Sequence, residues 1–157
     1  MNKVINVNQA IEIVQEIRIQ NKKIVLVGGC FDILHPGHIY FLKKSKELGD
    51  LLFVLLESDE NIKRRKGVGR PINSQNNRSI VLSSQSFVDY VIPLEGVTKD
   101  QDYDKLIVQI KPNVIVITKG DKNLSQRKRQ CEIFGVRLEL IEKLEGFSTS
   151  GLIEGRT

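Results

Sequence analysis

GGCFDILHPGH, residues 28–38, follows the apolar run KIVLV (23–27) and contains both histidines of the chain, His35 and His38, with only Pro36 and Gly37 between them. The apolar run reads as a short buried strand, the glycine pair as a tight turn, and Pro36 as the first position of a helix. That helix carries apolar Ile39, Phe41, Leu42 and Leu48 and is stopped by Gly49. A strand that turns through glycines into a helix is the unit from which parallel sheets are built, so this stretch sets the architecture expected elsewhere.

Upstream, Asn6 or Asn8 can cap a helix in which Ala10, Ile13, Val14 and Ile17 recur at helical spacing. Downstream, DLLFVLLES is a second strand, Ser74 caps a helix to about Gln85, and VDYVIPL is a third strand. Tyr103 to Ile110 forms a helix ended by Pro112, and NVIVIT is a fourth strand. Leu124 to Phe134 is a helix with Gly135 as its C-cap, VRLELIEK a fifth strand, and STSGLIEG opens a last helix at Ser148. Nearly all-apolar strands alternating with helices through short connections predict an α/β fold: a Rossmann-like, doubly wound, parallel five-stranded sheet with helices on both faces. No repeat, linker or low-complexity tract interrupts the pattern, so residues 1–157 are expected to form one domain.

Composition narrows the function classes. The formal charge of +5 suits an anionic partner of some kind. Two distant cysteines, Cys30 and Cys131, supply neither a disulfide framework nor zinc spacing. The start of the chain lacks the layout of a secretory signal and no apolar run is long enough to cross a membrane, so a cytoplasmic setting with no membrane partner is expected.

In a doubly wound sheet, ligands bind beyond the carboxyl ends of the strands, where a turn enters a helix N-terminus. Gly28 and Gly29 remove side chains that would hold a ligand away, and the turn amides and helix dipole favour phosphate oxygens. The turn is not GxGxxG and the chain has no GxxxxGK[ST], which excludes the dinucleotide fingerprint and the Walker loop. His35 and His38 can face one way, yet no cysteine or carboxylate cluster completes a zinc shell, so no metal ligands are assigned. An imidazole pair beside a phosphate-binding turn remains.

HPGH within GCFDILHPGH resembles the HxGH signature of the nucleotidyltransferase superfamily that includes cytidylyltransferases and pantetheine-phosphate adenylyltransferase. RRKG (64–67), Arg70 with Pro71, Arg78, VDYVIP, KPNVIV and EGFSTS follow in the order seen in cytidylyltransferase-like members, across almost the whole chain. The opening helix, KKIVLVGGCFDILHPGH and SDENIKRRKGVGRP are most similar to the bacterial heptose 1-phosphate adenylyltransferase domain, with glycerol-3-phosphate cytidylyltransferase next.

The resemblance implies attack of a substrate phosphate oxygen on the α-phosphate of a nucleoside triphosphate, AMP transfer to a sugar phosphate being favoured over CTP-dependent or FMN-directed chemistry. Its roles carry over residue by residue. His35 and His38 donate to oxygens that gain charge in the transition state, and Lys66 reaches the acceptor phosphate or the α-phosphate. Gly29, Cys30, Phe31 and Gly37 belong to the nucleotide-binding turn, and Cys30 lends only its backbone N–H. Arg78 binds the departing phosphates, and Ser148, Thr149 and Ser150 take the β- and γ-phosphates. Asp32 either orients the turn or contacts the acceptor. Lys66 is expected on a loop after the second strand, made flexible by GVG (67–69), that closes over the ligand. Magnesium is the implied cofactor, held mainly by triphosphate oxygens and water. The implied partners are a nucleoside triphosphate and a small phosphorylated acceptor, in a homodimer.

TKGD (118–121) departs from the family, where KGGD or an MGDD-like run occurs, so Lys119, Gly120 and Asp121 border the nucleotide without fixing its base. Two other classes stay open. A nucleic-acid module would use KRRK (63–66) and QRKRQ (126–130), but no stacking aromatics or groove-reading motif accompany them, so nucleic acid is not expected as a partner. A non-catalytic nucleotide-binding protein would keep the glycines without needing both histidines.

Overall fold

The computed structural model describes residues 1–155; the last two positions of the expected 1–157 domain lie outside the described residues. Helix α1 (Val7–Ile19) precedes β1 (Ile24–Gly29), α2 (Pro36–Lys46), β2 (Leu51–Leu56), α3 (Asp59–Lys66) and α4 (Gln75–Ser83). Then come β3 (Tyr90–Pro93), α5 (Asp100–Ile110), β4 (Val114–Thr118), α6 (Leu124–Phe134), β5 (Arg137–Ile141) and α7 (Thr149–Ile153). The strands form one parallel sheet in the order β3-β2-β1-β4-β5. The expected doubly wound sheet is present, with its topological switch between β1 and β4.

Period-two alternation divides each strand between two layers. Ile24 and Leu26 of β1 point into a core with Ala10, Val14 and Ile17 of α1, Ile107 and Ile110 of α5, and Cys131 of α6. Val25 and Val27 point to the other face, packed with Leu42 of α2 and Leu82 of α4. Both faces are covered, which is why the strands carry no polar alternation. β5, at an edge, is half-buried and charged, with Arg137 paired to Glu139. The opposite edge is extended by the N-terminal segment, where the Ile5 amide donates to the Val91 carbonyl (2.9 Å) and the Val91 amide to that of Lys3 (2.8 Å).

The caps follow the sequence closely. Asn6 caps α1 in a reciprocal box with Gln9, Ser74 caps α4, and Gly135 closes α6 in the left-handed conformation. α2 ends at Lys46, before Gly49, and α5 ends on Lys111, itself left-handed, before Pro112. One element departs outright: the segment carrying Lys66, expected as a loop, is the end of helix α3, DENIKRRK. Ser58 caps it, Asp59 and Glu60 occupy its first turn, and four basic residues its last, the charge order a helix dipole favours. Among the described residues, no helix is long and apolar enough to cross a membrane.

Candidate active site

β1 ends at Gly29 and α2 begins at Pro36, so the turn between them lies at the carboxyl edge of the sheet beside the switch point. His35 is the N-cap of α2. Its Nδ1 accepts the amides of Gly37 (3.1 Å) and His38 (3.4 Å). A ring nitrogen that accepts carries no proton, so neutral His35 bears its hydrogen on Nε2 as a free donor. His38 stacks on this ring, with centroids 3.8 Å apart and planes at 24°. Phe147 lies nearly parallel to His35 at 6.2 Å.

Burial lowers the His35 pKa, with the Lys143 charge adding to it. His38 is pushed down to about 4, first by desolvation and then by the His35 charge, with Lys66 contributing. The Ile33 backbone opposes this, yet His38 Nδ1 is shielded and makes no contact of full hydrogen-bond geometry. Both rings are therefore uncharged at neutral pH, and His35 presents its Nε2 hydrogen.

Gly29 and Gly37 are both close fits: a Cβ on Gly29 would stand 2.9 Å from the Phe31 ring, and one on Gly37 2.9 Å from His35 Cε1. Phe31 adopts φ +46°, unusual for a bulky residue, and buries its ring in the α2 layer while still bordering the cavity. Cys30 also borders the cavity, and its carbonyl is held by Arg78.

One expectation is corrected and one open choice is narrowed. Arg78, expected on the departing phosphates, is 1% exposed and does not line the cavity. Nε donates to the Asn73 carbonyl (3.0 Å), Nη1 to that of Cys30 (2.6 Å), and Nη2 to the Glu57 carbonyl (3.0 Å) and Asp59 Oδ1 (2.6 Å). It is a strut behind the turn, since a buried guanidinium must satisfy its donors with whatever is near. For Asp32, of the two roles left open, the structure supports the orienting one: it accepts the amides of Ile72 and Asn73, each at 2.8 Å, and pairs with Arg70 Nε at 3.4 Å. Its carboxylate is buried away from the cavity, so it is not placed to touch an acceptor.

Lys66 is the last residue of α3, exposed at the cavity wall rather than on a loop, and Gly67 (φ +92°) releases the chain behind it. Lys119, Gly120 and Asp121 border the opposite rim. Lys119 pairs with Glu142 at 2.7 Å, which raises its pKa through that hydrogen bond and charge. Gly120 has φ +80°, and Asp121 accepts the Asn123 amide at 2.7 Å. Ser148 caps α7 by accepting the Gly151 amide (2.9 Å), Thr149 is nearly buried, and Ser150 accepts from Arg70 at 3.4 Å. All three border the same cavity as the histidines.

The cavity holds about 650 Å³, within the range of small-molecule sites. Sequence reading missed its far wall. Glu57, 5% exposed, accepts Asn61 Nδ2 on Oε1 (2.7 Å) and both Tyr103 OH (2.6 Å) and Arg65 Nη2 (3.0 Å) on Oε2. The Arg127 guanidinium lies over the Tyr103 ring, 4.5 Å from its centroid. Desolvation, then the Glu57 bond, raises the Tyr103 pKa, so the phenol stays a donor. The signal available in sequence was a carboxylate at the end of an otherwise apolar strand.

Comparisons with known proteins bear on the family and the fold. A family model described as cytidylyltransferase-like matches residues 26–154. The chain is 45% identical over 149 residues to "Bifunctional protein HldE" of Campylobacter concisus, covering 93% of this chain and 30% of that protein. A Helicobacter pylori protein of the same name is 44% identical over 136 residues, covering 87% of this chain and 28% of its own. The chain thus spans less than a third of the length of these relatives. A lipopolysaccharide core biosynthesis protein from Thermoplasma volcanium superposes with a TM-score of 0.63 at 28% identity, over 78% of this chain and 97% of that one. A pantoate-beta-alanine ligase from Francisella tularensis, at 18% identity and a TM-score of 0.71 over 96% of this chain and 70% of that one, shares the fold.

Proposed function

The chain belongs to the cytidylyltransferase-like family, and from that premise we propose that it transfers a nucleoside monophosphate, AMP in preference to CMP, to a phosphorylated sugar such as heptose 1-phosphate. The observation that carries the reading is the neutral His35–His38 stack at the first turn of α2, with the His35 Nε2 hydrogen free of protein partners.

In the reaction an acceptor phosphate oxygen bonds to the α-phosphorus, the bond from that phosphorus to the α,β-bridging oxygen breaks, and pyrophosphate leaves. Positioning and charge stabilisation are what such a transfer demands of a protein. The turn amides from Gly29 onward and the dipole of α2 attract the triphosphate. The imidazoles donate to oxygens whose charge grows, and their neutrality suits donors that must not repel one another at 3.8 Å. Lys66, at the cavity wall, neutralises the incoming phosphate. Ser148 to Ser150 close the far end of the triphosphate path. Magnesium, the cofactor that the family resemblance implies, would be carried by phosphate oxygens and water and would neutralise the triphosphate.

The test is pyrophosphate release with ATP or CTP against heptose 1-phosphate, glycerol 3-phosphate, FMN and phosphocholine. Release with ATP and the sugar phosphate alone is expected. Release with CTP and glycerol 3-phosphate would reassign the substrates, and none with any pair would remove the reading.

A further inference from the structure

The cavity wall divides by chemistry. The turn with the histidines and Ser148–Ser150 offers neutral N–H and O–H donors, and the Thr118–Asp121 rim offers backbone and a lysine already paired with Glu142. The third side, between the end of β2 and the starts of α5 and α6, offers a buried carboxylate paired with the Arg65 guanidinium, with Arg127 lying over the neighbouring Tyr103 ring. A phosphorylated, hydroxyl-rich acceptor needs cations for its phosphate and strong acceptors for its hydroxyls; on the rim Lys119 and Glu142 are committed to each other, whereas this side holds a buried carboxylate beside a guanidinium with donors left over.

We propose that Glu57 reads the hydroxyl groups of the acceptor, with Arg65 beside it engaging the acceptor phosphate; the inference rests on the nucleotidyltransferase reading. An ionised carboxylate offers about four lone-pair sites and no donor. Three of those sites are taken by Asn61, Tyr103 and Arg65, which leaves one for a ligand. Asn61 and Tyr103 are positioning residues. The Asn61 amide is filled by Glu57, the Val97 carbonyl and Arg64, and the Tyr103 hydroxyl hydrogen is committed to Glu57. Arg65 uses one of its five N–H groups on Glu57 and is 37% exposed, so it has donors to give. A hydroxyl donating to this carboxylate makes a charge-assisted bond in a desolvated pocket, and an acceptor lacking that hydroxyl leaves the charge under-solvated.

The test is steady-state pyrophosphate release by the parent, Glu57→Gln and Arg65→Ala, varying ATP and, separately, heptose 1-phosphate, mannose 1-phosphate or glycerol 3-phosphate. Glu57→Gln is expected to raise the KM for the sugar phosphates about ten- to hundredfold, leave the KM for ATP unchanged, and narrow the preference over glycerol 3-phosphate. Arg65→Ala, at a partly exposed position that folding tolerates, should raise the KM of every acceptor. Tyr103→Phe should raise the sugar-phosphate KM alone. An unchanged acceptor KM in folded Glu57→Gln, or an equal rise for ATP, overturns the inference. If the parent releases no pyrophosphate with any acceptor, the proposed function fails. Calorimetric binding of mannose 1-phosphate then decides the subsite by itself: binding weakened tenfold or more by Glu57→Gln supports it, and no binding to the parent overturns it.

Discussion

The His35 and His38 rings stack at 3.8 Å while the Nδ1 of His35 holds the first amides of α2, so one side chain both caps the helix and packs against its neighbour in the motif. Two charged imidazoles at that distance would repel, and the shielded Nδ1 of His38 is poorly hydrated where it lies.

This has a sign in pH. Between the ordinary imidazole value of 6.5 and the folded His38 value of about 4, the unfolded chain binds a proton that the folded chain refuses. Stability therefore rises with pH across that window and falls on acidification, by up to roughly 3 kcal/mol from His38. Denaturant melts at pH 7 and pH 4.5 should show a smaller loss in His38→Gln than in the parent. Equal losses in the two proteins would mean that His38 is not held neutral.

Capping and catalysis can be separated at His35. Asparagine is a good N-cap but presents no Nε2 donor to the cavity. His35→Asn should keep the melting temperature near that of the parent and lower kcat about a hundredfold to a thousandfold. His35→Ala should lose both, with about 1 kcal/mol of stability gone with the cap.

Gly37→Ala would place a methyl group 2.9 Å from Cε1 and 3.0 Å from Nδ1 of His35. The imidazole must swing away, and its amide contacts with it. Misplacing a reacting group by about 1 Å can cost roughly a hundredfold in rate. A fall in kcat well beyond the change in stability is the expected result; unchanged kcat would show that the ring tolerates displacement.

Arg78→Met should act on folding. It leaves the carbonyls of Cys30, Glu57 and Asn73 without their donor, at about 1–3 kcal/mol for each one left unsatisfied, while Asp59, half exposed, turns to water. Denaturant unfolding reads this directly. A stable variant whose only defect was a raised KM for the triphosphate would restore the phosphate-binding role.

The sheet was legible because each strand is a short apolar run between strong punctuation: Asn6, Ser74, Ser148 and Gly135 all fall where a cap is needed. Helix α3 escaped because DENIKRRK has one apolar residue, Ile62, and so no periodicity to detect, although its acidic start and basic end are themselves a helix signal. The histidine turn was readable because its residues are adjacent in sequence. The Glu57–Tyr103 pair was not, because its partners lie 46 residues apart and meet only through the sheet order. Arg78 misled because an arginine on a helix carries no sign of how deeply it sits, and its partners are backbone atoms that no motif records.

Three of the four acceptors of Arg78 are main-chain carbonyls. No side-chain exchange at Cys30, Glu57 or Asn73 deletes them, so those positions are free to vary without cutting the strut. The tolerance is lopsided: the geometry behind the phosphate turn has many interchangeable neighbours and a single irreplaceable one, and adaptation toward a new substrate can remodel the cavity walls provided that one arginine stays.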